Sequence, residues 1–457
     1  FYSYYVEQAQ REHEMYSCCE VPATLHRLRL RKVFDGQPGQ KVSIATRLLC
    51  TLPGDQIRKE YSLERDTTVI FVEVPGQDVQ EFPFINEAES IALETVITDE
   101  EVGAPLFPYR PTATSVREAD GSVIVGFEEG RVVILDGETG EVSFEDTLQG
   151  KINVVSSAMI GGRIYQFAGT EEGELVCWDS DMNVVWKSET AIQGEDVAAK
   201  LEAIWSSHDA GIRTLLCVEG RSENLLVAGC GDGFIYGLDP LDGNRNWEVR
   251  LQRGCCSHLV RADFNQDGFE EIIAGTCSPS STGSIRVFST DGELLASLHT
   301  EHDNPLVMTS EMTALLARDI DGDGHVELVC GASHHLHHLS CWRGIELLWT
   351  LDTGEWPVVI VQIAGRDLLV GSRSGWVFLV TTDGKVSSRF YLGESVTCST
   401  AVSGRYLIGG KSGGLFEVDP ESNSLKLLRR FSNAVESILF GSDRIMAFME
   451  SGEIFIS

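Results

Sequence analysis

Two short segments of the chain carry oxygen-bearing side chains at the spacing of a metal-binding loop. They read DFNQDGFEE from Asp263 to Glu271 and DIDGDGHVE from Asp319 to Glu327. Side chains at the first, third, fifth and ninth positions and a carbonyl at the seventh can converge on one cation, and the sixth-position glycine permits a sharp reversal. Hard oxygen donors favour Ca²⁺ over Zn²⁺. The pattern predicts two Ca²⁺ loops, distinct from EF-hands because each runs directly into a strand-like segment.

The two loops resemble the calcium-loop repeat of integrin α-subunit-type (FG-GAP) β-propellers, in which the loop joins the first and second strands of a blade. Here each loop also lies just upstream of a strand-like segment, IIAG or LVCG. The resemblance covers two repeats of the chain. It implies a ligand set of side chains and carbonyls in each loop: Asp263, Asn265, Asp267, Glu271 and the carbonyl of Phe269, and Asp319, Asp321, Asp323, Glu327 and the carbonyl of His325.

Both loops depart from the family pattern. Asn265 replaces a carboxylate in the first loop, and the ninth position holds Glu in both loops instead of the shorter Asp. Four carboxylates in the second loop, against three and an amide in the first, predict tighter Ca²⁺ binding by the second loop. The alternative is that both loops are Asx-type turns whose carboxylates cap backbone N–H groups without metal.

Other reactive residues do not combine into a recognised catalytic site. The run HHLHH, His334 to His338, has no nearby Cys or carboxylate at a tetrahedral spacing, and we interpret it as a polar hairpin turn. The adjacent pairs Cys18-Cys19 and Cys255-Cys256 are interpreted as thiols, the second pair at the start of an inner strand. The chain contains neither a GxxxxGK[ST] phosphate loop nor HExxH, so no enzymatic activity is predicted.

A repeated phrase predicts the elements that position these loops. β-Forming residues, small residues, a turn, Gly and alternating apolar positions recur from Val123 to the end of the chain. The seven intervals between Gly130 and Gly452 average about 46 residues, the period of a four-stranded propeller blade. We predict an all-β fold, an eight-bladed (alternatively seven-bladed) β-propeller in which each hairpin is the middle pair of a blade. A two-sheet sandwich is the other alternative.

Two further features of the repeat concern contacts between blades. Small residues that end the first strand of the hairpin are predicted to let neighbouring backbones approach: Gly169, Gly229, Gly275, Gly371 and Gly409. The repeat pattern also resembles that of eight-bladed quinoproteins, the pyrroloquinoline-quinone (PQQ) dehydrogenases. The blade-end tryptophan of those enzymes is matched only at Trp186, Trp247 and Trp349, so this resemblance implies a shared architecture.

The chain before the first repeat follows a different pattern. We predict a small β-rich N-terminal appendage over 1–104, with a short helix within 1–17, followed by the propeller over 105–457. The last repeat ends without a fourth strand. A strand from before the first blade, within 90–97, is therefore predicted to complete the last blade and remove its open edge.

Composition restricts the partners of this chain. Its 457 residues include 36 Lys and Arg against 69 Asp and Glu, a formal net charge of −33. Such acidity disfavours nucleic acid and anionic membrane surfaces, and no apolar run approaches the roughly 18 residues of a membrane span. The 12 cysteines are scattered, which favours a reducing compartment. We predict a cytoplasmic protein, or an extracytoplasmic one if an N-terminal signal was removed.

The predicted function is that of a non-enzymatic scaffold whose rigid blades present loops to other protein subunits in an assembly. A first alternative is a PQQ-dependent dehydrogenase-like enzyme, in which a vicinal disulfide at Cys255-Cys256 would lie beside the quinone. A second alternative is a lectin-like propeller that binds a small ligand.

Overall fold

The computed structural model describes most of the propeller and short segments before it. The described residues are 47–50, 59–62, 69–72, 80–83, 107–189, 211–220, 223–251, 255–277, 284–299, 312–332, 338–353, 356–363, 367–402, 404–442 and 444–457. All regular elements among these residues are β-strands. The helix predicted within 1–17 and the closing strand predicted within 90–97 lie outside them.

The chain divides into two compact units, Phe1–Ser90 and Ile91–Ser457. The first unit contains two antiparallel hairpins, which pair β1 (Arg47–Cys50) with β2 (Lys59–Ser62) and β3 (Val69–Val72) with β4 (Gln80–Pro83). The boundary predicted at residue 104 stays a prediction.

Eight antiparallel sheets make up the second unit, and in each of them strands pair in chain order. We number the sheets blades 1 to 8. Blade 1 consists of β5 (Pro111–Val116), β6 (Val123–Phe127), β7 (Arg131–Leu135) and β8 (Val142–Thr147), and blade 2 of β9 (Ile152–Ile160), β10 (Arg163–Thr170), β11 (Glu174–Trp178) and β12 (Val184–Glu189). Blade 3 consists of β13 (Ile212–Glu219), β14 (Asn224–Cys230), β15 (Phe234–Leu238) and β16 (Arg245–Arg250), and blade 4 of β17 (Cys255–Ala262), β18 (Glu271–Cys277), β19 (Ser284–Phe288) and β20 (Leu294–His299). Blade 5 consists of β21 (Met312–Arg318), β22 (Glu327–Ala332), β23 (His338–Arg343) and β24 (Glu346–Asp352), and blade 6 of β25 (Pro357–Gln362), β26 (Leu368–Ser372), β27 (Trp376–Val380) and β28 (Val386–Tyr391). Blade 7 consists of β29 (Val396–Val402), β30 (Arg405–Gly410), β31 (Gly414–Asp419) and β32 (Ser424–Arg430), and blade 8 of β33 (Val435–Gly441), β34 (Arg444–Met449) and β35 (Ile454–Ile456).

The blades close into a ring. First strands of successive blades are neighbours, and β33 of blade 8 lies against β5 of blade 1. Across this last junction Arg110 Nη2 is 2.8 Å from Glu436 Oε1, and Thr114 Oγ1 is 2.6 Å from Ser437 Oγ. The predicted all-β, eight-bladed propeller is confirmed, and so is the placement of each repeated hairpin in the middle of a blade. The seven-bladed ring and the two-sheet sandwich are wrong.

Every first strand contains a β-bulge near the start of its pairing, after the first paired residue in seven blades and after the second in blade 4. The bulged residues are Thr112, Asn153, Arg213, Ser257, Thr313, Val358, Thr397 and Glu436. In four blades the bulged residue is Thr or Ser, and its hydroxyl donates to a carbonyl of the next first strand. Thr112 Oγ1, for example, lies 2.5 Å from the Ile152 carbonyl, and Thr397 Oγ1 lies 2.5 Å from that of Val435. These bonds join neighbouring blades near the ring axis, and sequence reasoning did not anticipate them.

Glycines on the second strands allow neighbouring blades to approach closely. A Cβ built on Gly126 would lie 2.3 Å from Ile152 Cγ2, and one on Gly229 would lie 2.6 Å from Cys256 Sγ. In seven blades the corresponding glycine faces the next first strand in this way: Gly126, Gly169, Gly229, Gly275, Gly331, Gly371 and Gly409. The prediction that two backbones approach each other at these glycines is wrong in one respect. The group that approaches each glycine is a side chain of the next blade and not its backbone.

Three fourth-strand tryptophans dock onto the following blade. Each indole N–H donates to a carbonyl in the turn between the third and fourth strands of that blade: Trp186 to Pro240 at 2.9 Å, Trp247 to Thr290 at 2.9 Å and Trp349 to Thr382 at 2.8 Å. A glycine of the same turn lies under each ring: Gly243, Gly292 and Gly384. The sporadic match to the quinoprotein repeat therefore corresponds to one inter-blade contact made three times.

Candidate metal-binding loops

The two predicted calcium loops lie on adjacent blades. Residues 263–270 join β17 to β18 in blade 4, and residues 319–326 join β21 to β22 in blade 5. Both therefore connect the first and second strands of a blade, as predicted, and open on the same face of the ring. The side chains of Gln266 and His325 form a hydrogen bond that links the two loops.

Backbone hydrogen bonds shape both loops in the same way. The first-position carboxylate accepts the N–H of the sixth-position glycine, at 3.0 Å from Asp263 to Gly268 and at 2.9 Å from Asp319 to Gly324. Both glycines have positive φ, +88° and +90°, which confirms their predicted role in the reversal. The loops therefore contain the Asx-type turns that were predicted as an alternative to metal binding.

The third- and fifth-position side chains continue this pattern. In the first loop Asn265 Oδ1 accepts the N–H of Asp267 at 2.9 Å, and Asp267 Oδ1 accepts that of Phe269 at 3.0 Å. In the second loop the corresponding distances are 3.2 Å between Asp321 and Asp323 and 2.9 Å between Asp323 and His325. The bond from His325 is the main cause that lowers the pKa of Asp323. Each loop can therefore hold its acceptors in place through its own backbone.

The ninth-position glutamates reach back to the start of their loops. Glu271 and Glu327 begin β18 and β22 and are buried. Glu271 Oε2 accepts the N–H of Phe264 at 2.8 Å, and Glu327 Oε2 accepts that of Ile320 at 3.0 Å. Burial raises the pKa of both carboxyl groups. The longer Glu side chain thus braces the loop from the buried strand.

The first loop contains a carboxylate oxygen without a partner, although its three carboxylates do not converge as those of the second loop do. Asp263 Oδ1 is buried and has no hydrogen-bond partner among the described residues. A buried carboxylate oxygen without a partner is costly, and a hard cation would satisfy it. Asn265 Nδ2 donates to Glu271 Oε1 at 2.8 Å, so the third-position amide already occupies one oxygen of the ninth-position carboxylate.

The second loop already contains a cation from the protein itself. Carboxylate oxygens of Asp319, Asp321 and Glu327 lie within 4.8 Å of one another, as a metal site requires. Arg343, however, places its guanidinium 2.8 Å from Asp321 Oδ2, 2.9 Å from Asp323 Oδ2 and 2.6 Å from Glu327 Oε1. The hydrogen bond to Glu327 is the main cause that raises the pKa of Arg343 further above its usual value.

Strand pairing explains why only one loop has this arginine. Arg343 ends β23 directly opposite Glu327, the residue that begins β22. In blade 4 Ile272 is opposite Phe288, so continuing the register places Ser289 opposite Glu271. Ser289 carries no charge, and its hydroxyl accepts the N–H of Asp291 at 3.3 Å instead.

Exposed carboxylates also begin several turns between third and fourth strands, which open on the same face as the two loops. Asp136 Oδ1 accepts the N–H of Thr139 at 2.8 Å, and Asp179 Oδ1 accepts that of Asn183 at 2.9 Å. Asp419 Oδ1 accepts the N–H of Glu421 at 2.9 Å. Such hydrogen bonds lower the pKa of all three carboxyl groups, with the Ser422 hydroxyl as the main cause for Asp419. Each of these aspartates directly follows the alternating apolar positions of the repeat and caps the turn that comes after them.

The cysteine pair of blade 4 consists of two buried thiols. Cys255 and Cys256 begin β17, which confirms their predicted place at the start of an inner strand. No disulfide joins them, so the feature on which the quinone-dependent alternative relied is absent at this pair. Burial raises the pKa of Cys256, as expected for a core thiol. The pair Cys18-Cys19 and most of the histidine run, 334–337, lie outside the described residues.

The pH dependence of stability should follow His258, which lies on β17 near the ring axis. Burial lowers its pKa from 6.5 to about 4. Between these values the unfolded chain binds a proton that the folded chain rejects, so stability is lost as pH falls through this window, by about 3 kcal/mol in total. Chemical denaturation from pH 7 to pH 4 should show a flatter profile for His258→Gln. The exposed His325→Gln is the control, and an equal flattening by it would contradict the assignment.

Within the described residues no helix is long and apolar enough to cross a bilayer.

Comparisons with known proteins agree with the architecture. No family model matches the chain. The outer membrane protein assembly factor BamB of Nitrosomonas eutropha is 27% identical over 167 residues, which cover 36% of this chain and 35% of BamB. The chain therefore spans about a third of the length of this curated relative.

Two solved structures are similar to this chain in fold. The computationally designed Ika8 protein superposes with a TM-score of 0.58 at 17% identity, over 78% of this chain and 99% of Ika8. Sqt1 of Saccharomyces cerevisiae has a TM-score of 0.58 at 12% identity, over 76% of this chain and 96% of Sqt1. At these identities the likeness shows the fold alone. The chain is thus an eight-bladed β-propeller with a region of BamB-like sequence at low identity.

Proposed function

We propose that this protein is a non-enzymatic scaffold that binds a basic protein partner through one acidic face of its ring. The face is formed by the loops between first and second strands and the turns between third and fourth strands. The observation that carries the proposal is that hydrogen bonds within these turns hold the carboxylates of Asp136, Asp179 and Asp419 in fixed positions on this face. Fixed charge on a rigid ring favours recognition of a complementary surface.

The similarity to BamB supports a role in an assembly, since that relative is named an assembly factor. The acidic composition of the whole chain, with a net charge of −33, agrees with a basic partner. The turns and loops of the proposed face differ from blade to blade in sequence, which gives a partner distinct contacts around the ring.

A charge-reversal pull-down tests the scaffold proposal. The face variant Glu138→Lys, Asp181→Lys, Glu421→Lys changes exposed carboxylates that lie next to the capping residues. The control variant Glu128→Lys, Glu129→Lys, Glu172→Lys makes the same charge change at exposed turns on the opposite face. Affinity capture with crosslinking and mass spectrometry should recover the partner with the parent and the control, and lose most of it with the face variant. Equal recovery by both variants would place the interaction elsewhere.

We also propose that the first loop, 263–271, binds Ca²⁺. The buried and unpartnered Asp263 Oδ1 supports this, because it marks an acceptor that a cation would satisfy. Asp263, Asp267 and Glu271 would supply carboxylates, with Asn265 and the Phe269 carbonyl as neutral donors. Bound Ca²⁺ would supply positive charge that ties the loop to β18 and stiffens this part of the acidic face.

Asp263→Asn should abolish the calcium-dependent part of the stability. Ca²⁺ at ten times its dissociation constant stabilises the folded state by about 1.4 kcal/mol, and the melting temperature rises accordingly. Calorimetry of the parent in millimolar Ca²⁺ against chelator measures this rise. Asp291→Asn removes an exposed carboxylate from the same blade and should keep the full response. An unchanged response in Asp263→Asn would show that the loop is only a hydrogen-bonded turn.

A further inference from the structure

The guanidinium of Arg343 contacts three of the four side chains that the second loop would offer to a metal. Its distances to carboxylate oxygens of Asp321, Asp323 and Glu327 are 2.8, 2.9 and 2.6 Å. Arg343 Nε also donates to Glu327 Oε1 at 2.8 Å, so this carboxylate is held by two nitrogens of the same guanidinium. The arginine thus lies where the predicted ligands converge.

The fourth predicted side chain is also satisfied without a metal. Asp319 Oδ1 accepts the N–H of Gly322 at 2.6 Å, and Asp319 Oδ2 accepts that of Gly324 at 2.9 Å. Glu327 is fully buried, with 0% of its surface exposed, so its charge requires a permanent partner. A guanidinium is always charged, and its fixed fork of donors matches several carboxylates at once.

We propose that Arg343 is the resident cation of the second loop and makes loop 319–327 independent of Ca²⁺. To bind there, Ca²⁺ would have to displace a tethered cation and leave the guanidinium unpaired beside the loop. The number of carboxylates predicts tighter Ca²⁺ binding by the second loop than by the first. The opposite order follows here, because Arg343 already neutralises the second loop. It deepens the calcium proposal for the first loop, where Ser289 stands in the place of Arg343, and its test is separable from that proposal.

Titration calorimetry with CaCl₂ on the parent and on Arg343→Met tests the inference. Removal of the guanidinium should expose the site and add about one Ca²⁺ equivalent relative to the parent. The double variant Arg343→Met, Asp321→Asn should lose the added equivalent. Arg405→Gln breaks an ion pair of similar exposure, 2.6 Å from Arg405 Nε to Glu417 Oε1, in a blade without such a loop, and it should bind Ca²⁺ like the parent.

A second measurement tests the inference without requiring the Arg343→Met variant to fold. Asp321→Asn in the parent background should leave the calcium response unchanged, because the carboxylate serves Arg343 and not a metal. A reduced calcium response in this variant would overturn the inference. So would a folded Arg343→Met protein, judged by circular dichroism and melting in chelator, that gains no Ca²⁺. If the parent binds no Ca²⁺ and Arg343→Met binds one equivalent, the first-loop proposal fails while this one stands.

Discussion

Replacing Gly126 with valine is expected to destabilise the propeller by about 3 kcal/mol, because the new side chain has no room at the interface between blades 1 and 2. The Cβ alone would lie 2.3 Å from Ile152 Cγ2 and 2.7 Å from Ile152 Cβ. Ile152 is fully buried at the start of β9, so it cannot turn away without opening the junction. Chemical denaturation of the variant and the parent measures the difference in the free energy of unfolding.

Gly161→Ala provides the control for this prediction. Gly161 lies in the turn between β9 and β10, where nothing within 4 Å would meet a new methyl group. Its φ is +57°, so the substitution costs only the left-handed backbone penalty, about 1 kcal/mol. If Gly126→Val loses no more stability than Gly161→Ala, the interface between blades 1 and 2 can rearrange to accept the side chain, and the prediction is wrong.

Trp186→Ala is expected to cost about 3 to 5 kcal/mol, because the tryptophan joins blades 2 and 3. Its side chain is 8% exposed, its indole N–H donates to the Pro240 carbonyl at 2.9 Å, and its ring packs over Gly243. Trp186→Phe keeps most of the apolar contact and loses the hydrogen bond, so we expect a loss of about 1 kcal/mol. Thermal and chemical unfolding of both variants measure these differences.

Val185→Ala is the matched control for the tryptophan. Val185 precedes Trp186 on the same strand but is 41% exposed, so its truncation should cost well under 1 kcal/mol. A similar loss for Trp186→Ala and Val185→Ala would mean that the docked indole contributes little beyond its area. Equal stability of Trp186→Phe and the parent would assign the whole effect to packing.

Local features of this protein were accessible to sequence reasoning. The spacing in 263–271 and 319–327 placed both loops between first and second strands and identified Gly268 and Gly324 as the reversal points. Each of these features depends on hydrogen bonds within nine successive residues, so the segment itself contains the information. The hairpins of the repeat were predictable for the same reason, since a tight turn and two alternating strands are one local unit.

Contacts between residues far apart in the chain could not be predicted from the sequence in this way. Trp186 and Pro240 are 54 residues apart, and Arg110 and Glu436 at the ring closure are 326 apart. No spacing rule links such pairs, because their proximity arises only when separate blades pack. The hydroxyl bonds of the bulged residues belong to the same class, although the recurrence of Thr or Ser at the start of first strands is a signal that could be sought.

The sequence by itself determined the all-β class and the position of the two loops and favoured eight blades over seven, because the period and the turn chemistry are properties of short segments. Only the tertiary structure showed that Arg343 lies among the carboxylates of the second loop. Arg343 reaches Glu327 because β22 and β23 pair in one register, and this pairing brings residues 16 positions apart into contact. The number of carboxylates predicted that the second loop binds Ca²⁺ more tightly, whereas the fold places the guanidinium of Arg343 among those carboxylates.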